Sequence, residues 1–537
     1  MNHGTYMVGV PRARRVACID VADDRPPSPD RRRLLIALGY GTLNAAALAR
    51  LLGGHDSDQH SRPAVSEREP TGGGPKIATA VSHAKAEPPD DHVYDIVIKG
   101  GRVIDAASSY DRIADVGIDG STIGAVKAQR LKGRQTIDAT NKVVSAGFID
   151  LLSYEPDDYG AWYKIGDGVT TNLGMHGINA KAVDFFSRYE GRCVVHFGGA
   201  FDDPWIRANL FGLNPGQAAN PVQVGQLADE CDRQIRDGWI GVDFEPEYTP
   251  GITFEEMKAL AEVAKRNDVP CFFHGRYSAV QTNMKTLDEI IEVAKQTGAR
   301  VHVEHIISTG GTFDMANSLK HIQDARDQGH DISACMYPYN FWATYLGSPR
   351  FNPGWQERFR ISYGDLQVAG SNERLTEYSF RQYQRQNKLA AAFAIPEGDV
   401  RTCLRDPHVM IGSDAILTNG NNHPRATGCF SRTLGRYVRD AKVISLTEAL
   451  AKMTILPARR LERQVPAMRR KGRLQRGADA DITVFDPVTV IDTSTIENPA
   501  QYSRGIEWVL IMGQVAKNPA GVDHNVRAGH AIKPVLA

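Results

Sequence analysis

Beyond Gly147 the sequence alternates short apolar runs with amphipathic stretches of helical period, and this rhythm restricts the chain more than any other feature. Phe254 to Arg266 and Leu287 to Thr297 carry the helical period, whereas Val269 to Phe273 and Val301 to Ile307 read as strands. Crossover-sized helices between strands call for parallel pairing, and hence an α/β fold. The chain has 537 residues, beyond the size at which one hydrophobic core keeps growing. A large domain with smaller ones beside it is expected, and the length permits a barrel.

The flanks have a different texture. Tyr94 to Asp105 alternates apolar and polar residues, and short strands follow at Asp115 to Ile118 and Thr122 to Val126. Strand-like runs return after Gly472, at Asp481 to Asp486 and Ile506 to Met512. Residues 91–146 and 471–537 are therefore expected to supply the two parts of one small β-sandwich around a central domain at 147–470. Within that domain, residues from about 340 to 400 break the rhythm and read as an insertion with its own short helices. Insertions of that size on a barrel usually cap the active site.

Residues 1–90 read as an export signal and a disordered linker. Arg31-Arg32-Arg33 precedes an apolar run, Leu34 to Ala49, resembling a twin-arginine signal, with Ala84-Lys85-Ala86 as a distant cleavage candidate. The alternative is a basic tail with a chance apolar patch, which would leave the protein in the cytoplasm. The run is too short for a comfortable membrane span, so none is expected in the mature form. Lys and Arg number 63, as do Asp and Glu, so no basic excess points to nucleic acid. The seven cysteines are scattered and never spaced as Cys-x-x-Cys, which argues against a disulfide framework or a zinc ribbon.

Catalytic zinc sites use three protein ligands and keep one position open for a water that the ion acidifies. In a parallel barrel the C-terminal strand ends share one face, so histidines there can meet. His274 closes the strand Val269 to Phe273, His305 lies near the end of Val301 to Ile307, and His176 follows the strand-like Val169 to Leu173. Ile411-Gly412-Ser413-Asp414 delivers a carboxylate that could shuttle a proton. Taken singly each is a commonplace; the order and setting give them weight.

Ala146-Gly147-Phe148-Ile149-Asp150, Gly168-Val169-Thr170-Thr171, Glu247-Tyr248-Thr249-Pro250-Gly251, Tyr337-Pro338-Tyr339, Gly412-Ser413-Asp414, His423-Pro424-Arg425 and Gly477-Ala478-Asp479-Ala480-Asp481 occur in that order. From about Tyr94 to Gly521 the chain thereby resembles the N-acyl-D-amino-acid deacylases (D-aminoacylases) of the metal-dependent amidohydrolase superfamily. The resemblance implies a (β/α)8 TIM-like barrel with a small β-sandwich, hydrolysis of a non-peptide C–N amide bond, His274 and His305 as zinc ligands, and Asp414 as general acid/base. Histidine replaces the family's cysteine at position 176 and is an acceptable ligand.

The chain also departs from the family. Leu152-Ser153-Tyr154 stands where most relatives place His-x-His, so one zinc ion is expected rather than two. Arg425, with Tyr337 and Arg276, is expected to orient a small-molecule amide substrate, the alternative for Arg425 being a structural role. Glu245 and Tyr154 are candidates to flank the ligands, Glu245 otherwise being a solvated strand-end acid. Ile307 replaces the family's lysine, so the substrate differs from an ordinary N-acetyl-D-amino acid and is linear or cyclic. Phe341, Trp342 and Tyr345 form either an aromatic lid or local core. A catalytically silent binding protein, and lyase or isomerase chemistry at the same metal, are the rival readings; the oligomeric state is left open.

Overall fold

A computed structural model of the chain describes residues 91–418 and 420–536, together with Pro89. The export-signal reading lies outside the described residues. Among the described residues no helix is long and apolar enough to cross a membrane, and the six cysteines there are buried and unbridged.

Strands β1 (Val93–Asp105), β2 (Tyr110–Asp119), β3 (Thr122–Lys127), β4 (Lys132–Asp138) and β5 (Val143–Ala146) open the described chain. Two parallel sheets follow. The first holds β6 (Phe148–Ser153), β7 (Val169–Gly174) and β8 (His196–Gly199) in that order. The second takes β9 (Phe201–Asp202), β10 (Val242–Phe244), β11 (Cys271–Phe273), β12 (Val301–Val303) and β13 (Ile332–Met336) in sequence. The chain then forms β14 (Trp342–Tyr345), β15 (Leu366–Val368) and β16 (Leu389–Ala392), returns to the second sheet with β17 (Val409–Ile411) against β13, and ends in β18 (Ile482–Phe485), β19 (Ile506–Ile511), β20 (Gln514–Asn518) and β21 (Gly521–Val522).

The first and last groups form one nine-stranded sheet, ordered β21-β20-β19-β18-β5-β1-β2-β3 with β4 on β1. The two sequence segments thus join through β18 and β5, which pair antiparallel. Where two facing sheets were expected, the pairing is continuous and rolls back on itself: Ile123 donates to Ala478 O and Gly477 donates to Ile123 O. Val103, Val116, Ile118, Ile482 and Leu510 make its apolar interior.

The parallel strands are buried on both faces, as helix-covered strands must be. Phe254–Arg266 shows why its covering helix forms. Thr253 caps its first turn through Glu256 N, acids lie at its start and Lys265 and Arg266 at its end, and Met257, Leu260, Ala261 and Ala264 face inward. The two parallel sheets touch at both edges. Only Ala200 separates β8 from β9, and it donates to Gly174 O at 3.1 Å while Phe201 donates to Gly241 O at 2.9 Å. After β17, Asp414 donates to Leu152 O of β6 at 2.7 Å.

Two expectations need correction. The run Val301 to Ile307 is a strand only as far as Val303, because the chain turns sharply at Glu304 and His305. The insertion is more ordered than its sequence suggests, since β14, β16 and β15 form an antiparallel sheet within it.

Candidate metal centre and active site

His176, His274 and His305 each follow the C-terminal end of a parallel strand, and the three imidazoles are brought together. After β11, His274 donates its backbone N–H to Phe244 O. After β12, His305 adopts φ of 23°, outside the comfortable region for a non-glycine residue; its N–H points at Cys335 Sγ and its Nδ1 lies 3.4 Å from Thr309 Oγ1. Its Nε2 then stands 3.1 Å from His274 Nδ1 and 3.6 Å from Asp414 Oδ2. His176 Nδ1 is 3.0 Å from Glu304 Oε2, and its Nε2 is 3.0 Å from Asp414 Oδ1, though without hydrogen-bond geometry.

Ligating atoms of His176, His274, Glu304 and His305 all lie within 4.8 Å of one another, and every one of these residues is buried. Glu304 Oε1 and His176 Nε2 are buried without hydrogen-bond partners, a costly state that a bound cation relieves. Imidazole and carboxylate donors suit zinc. The pocket is electronegative: against burial, Tyr154, Glu304 and Asp414 raise the pKa of His176 well above the usual imidazole range, so a cation taken up there would displace that proton. Burial, then His274, His176 and Arg425, push His305 far below that range, keeping it neutral as a ligand must be. The residues therefore fit the metal.

A second donor group joins His176 to Asp243 and Glu245. Burial raises Glu245 to about 8 and raises Asp243 strongly, and both carboxylate oxygens of Asp243 lack partners. Glu245 is half-buried and lies beside His176.

Asp414 is held from several directions. Its φ is 51°, a left-handed kink. Lys164, from the helix Asp158–Gly166, donates to Asp150 Oδ2, Ser413 Oγ and Ala415 O, each at 2.7 Å, and Asp150 Oδ1 accepts from Ser413 N at 2.9 Å. A fully buried ion pair thereby grips the residues on both sides of the kink. Gly412 permits the close approach of β17 to β6, since a Cβ there would lie 2.9 Å from Leu152 Cβ. Burial alone would raise the Asp414 pKa, but Arg425 above all, with His176, holds it far below the usual carboxylate range.

The remaining predicted residues divide. Tyr154 reaches the site, its hydroxyl 3.4 Å from Asp414 Oδ1 and its ring 4.7 Å from that of His176. Arg425 binds Asp414 and lies 4.1 Å over the Tyr337 ring, with Nη1 buried and unpartnered. Arg276 is engaged elsewhere, by Glu289 and the carbonyls of Pro250 and Ile252, so its guanidinium is not directed at the site. Phe341 and Trp342 are buried in local packing against His423, Phe351 and Phe359, which favours core over lid.

Four site residues have no assignment in the sequence reading. Glu304 adjoins His305 and Asp243 lies on β10, but strand alternation does not tell which of two neighbours faces the centre. Glu247 accepts from His274 Nε2 at 2.7 Å and also contacts Ser278; it sits inside a family-like segment, a signal that gave position without role. Arg350, from the insertion, is 3% exposed, lies 3.7 Å from Glu247, donates to Ser308 O and packs on Trp342, with Nε buried and unpartnered. No local pattern marks it.

Comparison with known proteins gives a consistent picture. A model described as "Amidohydrolase family" matches residues 221–516. An N-acyl-D-glutamate deacylase of Alcaligenes xylosoxydans xylosoxydans is 31% identical over 462 residues, covering 78% of this chain and 93% of that protein. Among solved structures, D-aminoacylase superposes with a TM-score of 0.72 at 24% identity, covering 82% of this chain and all of that one. The N-acyl-D-glutamate deacylase of Bordetella bronchiseptica, complexed with zinc and a phosphonate inhibitor, gives 0.70 at 26% identity with the same coverage.

Proposed function

We propose a function from one premise: the chain belongs to the amidohydrolase family, in its N-acyl-D-amino-acid deacylase (D-aminoacylase) branch. It is a metal-dependent hydrolase of C–N bonds other than peptide bonds. On this reading β6, β7, the interrupted strand β8–β9, β10, β11, β12, β13 and β17 are the eight strands of a closed barrel, with backbone bonds at Ala200, Phe201 and Asp414 as the seams, and the rolled nine-stranded sheet serves as the sandwich.

His176, His274 and His305, with Glu304 beside them, would hold one zinc ion. The other donor group shares His176, and Leu152 and Tyr154 add no imidazole from β6. When bound, zinc supplies an acidified water and polarises the amide carbonyl. Asp414, held ionised, takes a proton from the attacking water and returns it to the departing nitrogen. Glu247 fixes the ring of His274, and Tyr154 lies against Asp414.

The substrate we favour is a linear N-acyl amino acid bearing a second carboxylate, like the N-acyl-D-glutamate named for the relatives. Arg425 Nη1 and Arg350 Nε are buried N–H groups without partners, and substrate oxyanions would satisfy both. Arg350 also supplies a cation that Ile307 does not.

The convergence of three imidazoles, two of them beside Asp414, carries this reading. It is tested by metal analysis of the purified protein, turnover of a panel of N-acyl-D-amino acids, and product masses. About one zinc per chain and addition of water to an N-acyl-D-glutamate are expected. Negligible zinc, or activity untouched by His274→Ala, rejects the scheme; no turnover of any amide returns the silent binding protein, and a product of unchanged mass indicates isomerase chemistry.

A further inference from the structure

The N-terminal ends of the parallel strands, opposite the face that carries the histidines, enclose a second polar feature. Arg300 immediately precedes β12, Asp331 precedes β13 and His408 precedes β17. With Arg326, Arg459, Arg460 and Arg463 they line a cavity of about 220 Å3. We infer that this cavity is a binding site for a phosphate-type oxyanion, independent of the catalytic centre.

Charge is the first argument. Five guanidinium groups share the cavity, whereas the carboxylates that face them are Asp331, paired with Arg460, Asp268, 3.4 Å from Arg300 and 3.1 Å from Arg463, and Asp406, whose field reaches Arg326 and His408. Lys452 also faces His408, adding another cation. Clustered cations in a partly dehydrated cleft repel one another unless an anion joins them. Burial, and next the charge of Arg460, bring Arg300 down to about 10, and burial also lowers Arg326 and Arg460.

Rigidity is the second. Arg300 Nη1 donates to Arg460 O, Arg460 Nη2 to Val301 O and Arg326 Nε to Ile332 O, so three forks are fixed before any ligand arrives. Arg460, 7% exposed, keeps its Nε buried without a partner. Several guanidinium groups lining one cavity favour a tetrahedral oxyanion over a single carboxylate. The cavity is below the usual size for drug-like ligands, which suits a small ion or the phosphate end of an ester.

The test is calorimetric titration of the zinc-loaded full chain with inorganic phosphate and, separately, glycerol 3-phosphate, against sodium chloride of equal ionic strength. Saturable binding of either phosphate is expected, with the tighter one identifying the source, and at least tenfold weaker binding to the Arg459→Gln/Arg463→Gln variant. Both substituted side chains are on the surface, and an unchanged melting temperature in chloride verifies that the variant folds. Absence of saturable binding by both compounds overturns the inference, as does equal affinity in the variant, which would assign the binding to the metal centre.

Discussion

Arg425 holds Asp414 at two points: Nη2 lies 2.7 Å from Oδ2, and Nε donates to the main-chain oxygen of the same residue at 3.0 Å. The residue expected to grip substrate is thus also the one that keeps the Asp414 carboxylate ionised and oriented. On the proposed function, a substrate carboxylate reaching Nη1 would draw on the same guanidinium and loosen the hold on Asp414.

That double contact needs a planar fork. Arg425→Lys retains the charge but cannot make both bonds, so kcat/KM is expected to fall about 100-fold, the usual cost of a small misplacement, while zinc content stays near that of the parent. Steady-state kinetics with metal analysis checks this; an unchanged kcat/KM would remove Arg425 from the mechanism.

Lys164 acts one step further back. Lys164→Met leaves Asp150 charged and buried, at a cost of about 3–5 kcal/mol in stability. It also releases Ser413 and Ala415, so kcat should drop on the order of 100-fold with KM little altered. Denaturant melts and kinetics read the two effects separately, and an unaltered kcat would show that the kink at Asp414 is self-supporting.

In the proposed scheme Glu247 bears on the metal rather than the proton. Because it orients the His274 ring, Glu247→Gln is expected to weaken zinc binding by about 10- to 100-fold, measured by competition with a chromophoric chelator. Equal affinity would reduce Glu247 to a partner of Arg350 and Ser278.

Arg350 separates substrates. Arg350→Met should raise KM for an N-acyl-D-glutamate by roughly 10- to 100-fold, the value of a charged hydrogen bond, and alter KM much less for an N-acyl-D-amino acid with an apolar side chain. A uniform change across both substrates would make Arg350 structural.

Acid stability is expected to depend on Asp481, whose carboxylate meets Lys471 Nζ at 2.7 Å, His196 Nε2 at 3.1 Å and Met512 N at 2.9 Å. Burial alone would raise it, yet Lys471 and His196 hold it well below the usual carboxylate range. A carboxylate depressed in the folded state stabilises above its unfolded pKa of about 3.9 and loses that contribution as pH falls below it. Asp481→Asn should therefore destabilise the zinc-free protein at neutral pH by about 3 kcal/mol and flatten its loss of stability between roughly pH 5 and 3. Urea melts across that range decide; parallel curves would refute it.

The sequence alone determined the periodicities, and through them the α/β class. It placed the helix Phe254–Arg266 to the residue, assigned the terminal β-segments to one unit, and indicated His176, His274, His305 and Asp414 as strand-end side chains, because period and strand ends are local properties written in consecutive residues. Only the tertiary structure decided which neighbours joined them. Glu304 and His305 enter together because the chain leaves β12 at Val303, and Glu247, Lys164 and Arg350 arrive from segments far apart in sequence, where no local signal distinguishes a buried partner from a solvated charge. Arg276 shows the reverse: a residue two places after His274 is drawn away by Glu289 and two carbonyls, since a side chain's direction is fixed by what packs around it.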